Sequence, residues 1–138
     1  MNRAEKAVPE TERVALVVED NDKSAAVLRL FLEAEGFAVL RARSAEEALM
    51  MALQQRLALI TLDLKLGGMD GWQFLLRLRD IAALAKVPVI IVSGQPVTDL
   101  ARARGAAASL LKPFSRGKLQ DALAALGLHP APASAPAP

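Results

Sequence analysis

The sequence predicts a doubly wound α/β domain, in which helices cover both faces of a five-stranded parallel sheet. Five short apolar segments of strand length alternate along the chain with five segments of helical periodicity. Each apolar segment is continuous, as expected for parallel strands that are buried on both faces. The 138 residues, 53% of them hydrophobic, suffice for one such core, and we see no space for a second domain.

The predicted strands are short and rich in branched aliphatic residues. They comprise residues 13–18, 37–41, 57–62, 87–92 and 107–111. Pro88 is compatible with its strand because it stands near the start, where a missing N–H is tolerated. Every segment is followed by a polar or turn-forming residue, which marks its end.

The predicted helices show apolar residues three and four positions apart. The first ends near Gly36, and the second begins at Ser44 with Glu47 completing a capping box. The third spans about 72–83 and the fourth 97–104, while the last runs from 115 to 127. The expected apolar faces are Val27, Leu28, Phe31 and Leu32; Ala45, Ala48, Leu49, Ala52 and Leu53; Phe74, Leu75, Leu78 and Ala82; and Leu119, Ala122, Leu123 and Leu126.

Two terminal segments fall outside the predicted domain, which covers residues 13–127. Residues 1–12 are polar and aperiodic, and we expect a flexible arm there. Residues 128–138 form a Pro/Ala-rich tail without a core. This tail carries the single histidine of the chain, His129, so a histidine triad or a histidine-ligated zinc site is not expected.

Composition excludes several classes of function. The chain has no cysteine, which removes disulfides, thiol catalysis and cysteine-bound metals. The net charge of +2 is too small to indicate nucleic-acid binding, and no appended helix-turn-helix segment is visible. No apolar run approaches the roughly 18 residues of a membrane span, and the first residues do not resemble a signal peptide. We therefore expect a cytoplasmic protein without membrane insertion.

Polar residues follow the strands at one edge of the predicted sheet. Glu19 and Asp20 follow the first strand, Asp63 the third, Ser93 the fourth and Lys112 the fifth. The carboxyl ends of parallel strands share one edge, where such folds bind ligands. Each residue also has a simpler interpretation, such as an acid at a helix start or a serine cap. Their convergence favours a common site.

The residue types at this edge indicate the chemistry. Three carboxylates repel one another unless a proton or a cation joins them. Oxygen ligands without histidine or cysteine suit Mg²⁺ or Mn²⁺. A lysine and a hydroxyl opposite them suit a further anionic group. The combination predicts an aspartyl phosphate formed on Asp63 as nucleophile, with the cation and Lys112 neutralising charge.

The same residues carry a family resemblance. Val-Val-Glu-Asp-Asn (17–21), Leu-Asp-Leu-Lys-Leu-Gly-Gly-Met-Asp-Gly (62–71), Ile-Val-Ser-Gly (91–94) and Lys-Pro-Phe (112–114) together resemble the receiver domain of two-component response regulators. The resemblance covers about residues 13–126 and implies a CheY-like, flavodoxin-like sheet with strand order 2-1-3-4-5.

The resemblance implies a role for each residue of the acidic half of the site. Asp63 matches the phosphoacceptor. Asp20 matches the main metal-binding acid, with Glu19 beside it and Asp63 as a further ligand. The backbone carbonyl of Lys65 would be the third protein ligand of Mg²⁺. A histidine kinase or a histidine phosphotransfer protein would donate the phosphoryl group.

The other half of the pattern contains both matches and departures. Ser93 matches the switch hydroxyl, and Lys112 the phosphoryl-binding lysine, before a proline whose peptide bond is typically cis. Gly67 stands where the family often has proline. Ser109 replaces the aromatic residue that usually moves inward on activation, and the chain contains no tyrosine. This departure leaves the usual output mechanism open.

The resulting prediction is a stand-alone phosphoacceptor domain that signals to a downstream protein target through protein–protein contacts, with a possible homodimer through the helix 4/strand 5/helix 5 face. It is predicted to accept a phosphoryl group without being a turnover enzyme. One alternative is a receiver-like binding module that works without phosphate. A second is an aspartate-nucleophile phosphatase, which is disfavoured because Lys65 stands where such enzymes usually have a second acid.

Overall fold

The computed structural model describes residues 13–66 and 70–128. The predicted N-terminal arm, residues 67–69 of the glycine-rich loop and the tail from residue 129 lie outside the described residues. The strands are β1 (Arg13–Val18), β2 (Phe37–Ala42), β3 (Leu59–Asp63), β4 (Val89–Ser93) and β5 (Ala108–Leu111). The helices are α1 (Asp22–Ala34), α2 (Ala45–Gln54), α3 (Gly71–Asp80), α4 (Thr98–Ala103) and α5 (Arg116–Ala125).

The five strands form one parallel sheet in the order β2-β1-β3-β4-β5. This arrangement confirms the predicted fold class and strand order. The order reverses at β1 and β3, so the loops that follow these two strands leave the sheet in opposite directions. Asp63, at the end of β3, therefore lies beside the crevice in which open α/β sheets bind ligands.

Helices pack on both faces of the sheet, as predicted. One apolar core joins the sheet to α2, α3 and α4 through residues such as Ala48, Phe74 and Ala101. The other joins it to α1 and α5 through residues such as Leu28 and Leu119. The middle strands are therefore covered on both faces.

Some predicted helix positions differ from the structure. Val27 and Leu53 remain 45% and 59% exposed, and Ala82 lies beyond the end of α3. In α1 the buried face is narrower than the apolar stripe and consists of Ala25, Leu28 and Leu32. A sheet covers only one side of each helix, so the outermost apolar residues of a wide stripe stay in water.

The capping interactions also differ in detail. Ser44 accepts a hydrogen bond from the Glu47 N–H, but the Glu47 carboxylate accepts from the N–H of Arg43, one residue before the expected donor. A complete capping box occurs instead at α3, between Asp70 and Gln73. Asp70 thus fixes the start of the helix that follows β3.

Candidate functional site

The strand ends bring the predicted site residues together. Asp63 is the last residue of β3 and Ser93 the last of β4, while Glu19 directly follows β1. Their exposed fractions are 6%, 8% and 1%. Asp63 pairs in register with Val92, which places Ser93 just beyond it on the neighbouring strand. Since buried polar side chains need compensating partners, this edge of the sheet must satisfy two carboxylates.

Lys112 provides the compensating charge. Its ammonium group lies 2.9 Å from Oδ2 of Asp63 and 3.3 Å from Oε1 of Glu19. The main chain holds it there, because the Lys112 N–H donates to the Ser93 carbonyl at 2.7 Å and so extends the β4–β5 pairing by one residue. The Lys112–Pro113 peptide bond is cis, as the resemblance implies.

The two charged neighbours of Asp63 have shifted pKa values. Burial raises the pKa of Glu19 from 4.5 to about 7, and the adjacent Asp63 carboxyl adds to the rise, while the Asn21 N–H and Lys112 oppose it. For Lys112, partial burial lowers the pKa, but hydrogen bonds and charge from Asp63 and Glu19 outweigh burial and give a net increase. A protonated lysine between two acids is therefore the stable arrangement.

Three carboxylates could hold a cation at this edge. One oxygen from each of Glu19, Asp20 and Asp63 lies within 4.8 Å of the others. Glu19 and Asp63 are buried, whereas Asp20 is exposed. Such a set of oxygen ligands fits Mg²⁺, which takes one or two carboxylates and keeps several waters. The donor set thus agrees with the metal that the sequence predicts.

Lys65 contacts Asp63 through its backbone. Its N–H donates to Oδ1 of Asp63 at 2.8 Å, so both oxygens of that carboxylate have a donor. Its side chain is exposed. The use of its carbonyl oxygen as a metal ligand stays a prediction.

Ser93 lies beside Asp63 with its hydroxyl in a local turn. Its Oγ accepts from the N–H of Gln95 at 3.0 Å. It is not a helix cap, because α4 begins after Val97 without any side-chain cap. A hydroxyl that accepts one hydrogen bond can still donate its own hydrogen, which remains available to an anion bound at Asp63.

Ser109 contacts the start of α4 through its hydroxyl. Its hydroxyl lies 2.9 Å from the hydroxyl of Thr98, the first residue of α4, and so connects β5 to that helix. Neither residue has a described contact with Asp63 or Lys112. The departure noted in the sequence therefore concerns the coupling of β5 to α4 and leaves the acidic site complete.

Arg41 is a neighbour of the site that the sequence analysis did not single out. It stands near the end of β2, and its guanidinium donates to the Glu19 carbonyl at 2.9 Å and to the Asp22 carboxylate at 3.0 Å. The only sequence signal was an arginine at the carboxyl end of a strand next to a strand that ends in acids. Length and flexibility of the side chain hide such a contact from pattern analysis.

A doubly wound sheet with a buried aspartate flanked by two acids, a lysine and a hydroxyl defines a receiver-type signalling domain. The model of the family described as "Response regulator receiver domain" matches residues 15–124. The chain therefore belongs to the response regulator receiver domain family. This result confirms the resemblance, and the chain is a receiver domain of the kind found in two-component systems.

Full-length relatives share this domain. The chain is 38% identical over 111 residues to the KDP operon transcriptional regulatory protein KdpE of Escherichia coli, covering 78% of the chain and 48% of that protein. It is 32% identical over 127 residues to the sensory/regulatory protein RpfC of Xanthomonas campestris, covering 88% of the chain and 18% of that protein. The chain thus spans about half or less of the length of these relatives.

Solved structures agree with this assignment. One similar structure is the receiver domain of the sensor histidine kinase PA1611 from Pseudomonas aeruginosa, with a magnesium ion coordinated in its active-site cleft. It is 26% identical, with a TM-score of 0.75, and the match covers 85% of this chain and 99% of that one. The chemotaxis response regulator CheY4 of Vibrio cholerae matches at 25% identity and a TM-score of 0.77, over 83% and 98% of the two chains.

Family membership bears on the cofactor and the partner. Receiver domains bind Mg²⁺ at an acidic pocket, and the Glu19, Asp20 and Asp63 cluster is compatible with one. They work with histidine kinases and are not in general turnover enzymes. Among residues 13–66 and 70–128, no helix is both long and apolar enough to cross a membrane.

Proposed function

We propose that Asp63 accepts a phosphoryl group in a Mg²⁺-dependent reaction and that the phosphorylated domain signals by contact with another protein. The proposal rests on the groups that surround the buried carboxylate of Asp63. Asp63 lies at the end of a central strand, 2.9 Å from a lysine ammonium and within 4.8 Å of oxygens from two further acids. A lone structural aspartate would need only one of these partners.

The transfer step is a displacement at phosphorus. A carboxylate oxygen of Asp63 forms the new P–O bond while the P–N bond of a phosphohistidine breaks, and the electron pair of that bond returns to the donor imidazole, which takes up a proton. The acidic surroundings alone would repel the incoming phosphoryl group. Lys112, already in contact with Asp63, is positioned to bind the transferred oxygens and neutralise them.

The metal would be held by Asp20, Asp63 and Glu19, together with the Lys65 carbonyl. When bound, Mg²⁺ would neutralise the negative charge of the carboxylates and the phosphoryl group. Glu19 also accepts a hydrogen bond from the Lys112 ammonium at 3.3 Å, so the same carboxylate would help to position that lysine.

The output would proceed through Ser93 and α4. The Ser93 hydroxyl hydrogen is free to donate to the new phosphoryl group, which would pull the turn at Gln95 toward Asp63. Because α4 is short and follows that turn, we expect movement of the turn to displace this helix most. The Thr98–Ser109 contact would then take the place of the aromatic switch.

The partners follow from this chemistry. The donor would be a histidine kinase or a histidine phosphotransfer protein, and the target a downstream protein rather than nucleic acid. A homodimer through the α4, β5 and α5 face and a cytoplasmic location belong to the same proposal. The domain limits at residues 13 and 127 remain predictions of the sequence.

Transfer from a histidine-phosphorylated protein tests the proposal. We expect the radiolabelled phosphoryl group to pass to the wild-type chain in MgCl₂ but not in EDTA. The Asp63→Asn variant should stay unlabelled in both conditions. The exposed Asp80→Asn variant is the matched control and should be labelled normally. The bound phosphate should be released by hydroxylamine, which cleaves acyl phosphates.

Two results would contradict the proposal. Equal labelling of Asp63→Asn would move the acceptor to another residue. Failure of the wild type with both protein donors and acetyl phosphate would favour the phosphate-independent binding module, which the replacement of the usual aromatic by Ser109 also suggests.

A further inference from the structure

Residues 19–22, which we call the acid loop, carry three acids and connect β1 to α1. The acid loop is held by β2 at two points. The Glu19 N–H donates to the Ala42 carbonyl at 3.0 Å, and the Glu19 carbonyl accepts from Nε of Arg41 at 2.9 Å. Both peptide groups around Glu19 are therefore held by β2, and the exposed Asp20 follows directly.

Arg41 also reaches the far end of the acid loop. Its Nη1 donates to Oδ1 of Asp22 at 3.0 Å. Arg43 approaches the same oxygen at 2.9 Å but has no described contact with Glu19. One guanidinium thus spans the acid loop from Glu19 to Asp22, whereas the second arginine touches only Asp22.

The cost of placing Arg41 here suggests a role beyond stability. Its side chain is only 19% exposed, and its Nη2 is buried without a hydrogen-bond partner among the described residues. Burying a guanidinium with an unused donor is unfavourable. Buried donors without a hydrogen-bond partner are expected at functional sites, where geometry is maintained at the expense of stability.

We propose that Arg41 is a positioning residue for the metal site: its contacts with the Glu19 carbonyl and the Asp22 carboxylate hold the acid loop so that Asp20 faces Asp63. The inference depends on the proposed Mg²⁺-binding function and adds a residue outside the ligand set. Groups that orient metal ligands without touching the metal typically change affinity by about 10–100-fold when removed.

Removal of Arg41 could either raise or lower the affinity for Mg²⁺, and the direction identifies its role. Arg41 is a cation close to a proposed cation site, so its charge alone weakens Mg²⁺ binding. If charge were its only effect, removal would tighten binding. If it positions the acid loop, removal weakens binding even though a repulsive charge has gone. Arg43 carries the same charge at the same oxygen of Asp22, which makes it the matched control.

Calorimetric titration of the full chain with MgCl₂ measures this directly. We expect Arg41→Gln to raise the Mg²⁺ Kd about tenfold, whereas Arg43→Gln should leave Kd unchanged or lower it. With acetyl phosphate, Arg41→Gln should be slow at low Mg²⁺ and reach the wild-type rate at saturating Mg²⁺. A general structural defect would lower the rate at every Mg²⁺ concentration.

A conservative variant distinguishes loss of the two contacts from misfolding. Arg41→Lys keeps the charge, but one ammonium cannot span the Glu19 carbonyl and the Asp22 carboxylate as a planar fork does. Its Kd should therefore also exceed that of the wild type. Circular dichroism and urea unfolding establish that each variant is folded.

The outcomes separate this inference from the function on which it rests. If the wild type binds no Mg²⁺, the proposed metal site is wrong. If the wild type binds Mg²⁺ but Arg41→Gln binds equally well, more tightly, or no differently from Arg43→Gln, the metal site stands and the role of Arg41 is overturned. A wild-type Kd for Arg41→Lys would overturn the two-point contact.

Discussion

The ammonium group of Lys112 lies 2.9 Å from Oδ2 of Asp63, although 49 positions separate the two residues in sequence. The contact exists because β3 and β5 flank β4 in one parallel sheet and end at the same edge. The same ammonium lies 3.3 Å from Glu19, so a single cation serves two buried acids. Lys112 would therefore compete with a metal ion for the same carboxylates, and it is also positioned to contact a phosphoryl group on Asp63.

Removal of Lys112 should change metal binding and phosphorylation in opposite directions. In Lys112→Ala the competing cation is gone, so Mg²⁺ should bind more tightly. Phosphorylation by acetyl phosphate should fall about a hundredfold, the usual effect of losing one donor to a developing anion. Calorimetry and intact mass measure the two effects, with the exposed Lys118→Ala as control. Parallel loss of both properties would show that Lys112 acts only in folding.

Glu19 should make the stability of the metal-free domain depend on pH. Its pKa is raised from 4.5 to about 7, mainly by burial. Between these values the folded chain holds a proton that the unfolded chain has released, so the free energy of unfolding falls as pH rises through this window. Urea unfolding at about pH 5 and about pH 8 should show a smaller pH-dependent decrease for Glu19→Gln than for the wild type. An identical decrease in both proteins would mean that Glu19 ionises normally.

The hydroxyl of Ser93 should matter for phosphorylation, whereas that of Ser109 should not. Ser93→Ala removes a hydroxyl on the strand beside Asp63 that can donate to a phosphoryl oxygen. A hydrogen bond to a charged group contributes about 1.5–3 kcal/mol, so the phosphorylated fraction at limiting donor should fall about tenfold or more. Ser109→Ala loses only the contact with Thr98 and should be phosphorylated as the wild type is. Equal behaviour of the two variants in a time course of intact mass would contradict the assignment of Ser93.

Gly71 permits close packing of α3 against the end of β3. A Cβ at this position would lie 2.8 Å from Cα of Leu64 and 3.1 Å from the Asp63 carbonyl oxygen. Gly71→Ala should therefore displace the backbone next to Asp63 and lower the free energy of unfolding by about 1–3 kcal/mol.

Gly94→Ala is the control for that substitution. Gly94 follows Ser93 and is thus also near the site, but a Cβ there meets no described atom within 4 Å. Its effect on unfolding in urea should stay within about 0.5 kcal/mol. Equal destabilisation by both substitutions would mean that the close contact at Gly71 relaxes without cost.

The position of the site could be predicted because parallel strands impose it. Continuous apolar segments predict buried strands, and each one ends at a polar residue. A parallel sheet then brings the carboxyl ends of these strands to one edge. The structure places Glu19, Asp63, Ser93 and Lys112 there. The sequence pattern needs no knowledge of side-chain conformation for this step.

Interactions that depend on side-chain reach could not be predicted in this way. Arg41 contacts the acid loop through a long side chain, and strand periodicity indicates its face of the sheet but not the atoms that the guanidinium reaches. The same applies to Glu35, which is buried and accepts hydrogen bonds from Arg116 and Gln120 of α5. Exposure of Val27 and Leu53 was missed because the rotation of each helix is set by packing on the sheet.

The central claim is that Asp63 carries the phosphoryl group, and intact mass spectrometry after incubation with Mg²⁺ and acetyl phosphate tests it most directly. We predict a gain of one phosphoryl group by the wild type and none by Asp63→Asn, because an amide cannot replace a carboxylate nucleophile. Borohydride reduction of the wild-type product should convert residue 63 alone to homoserine. A phosphoryl group found on Asp63→Asn, or on a peptide without residue 63, would contradict the account.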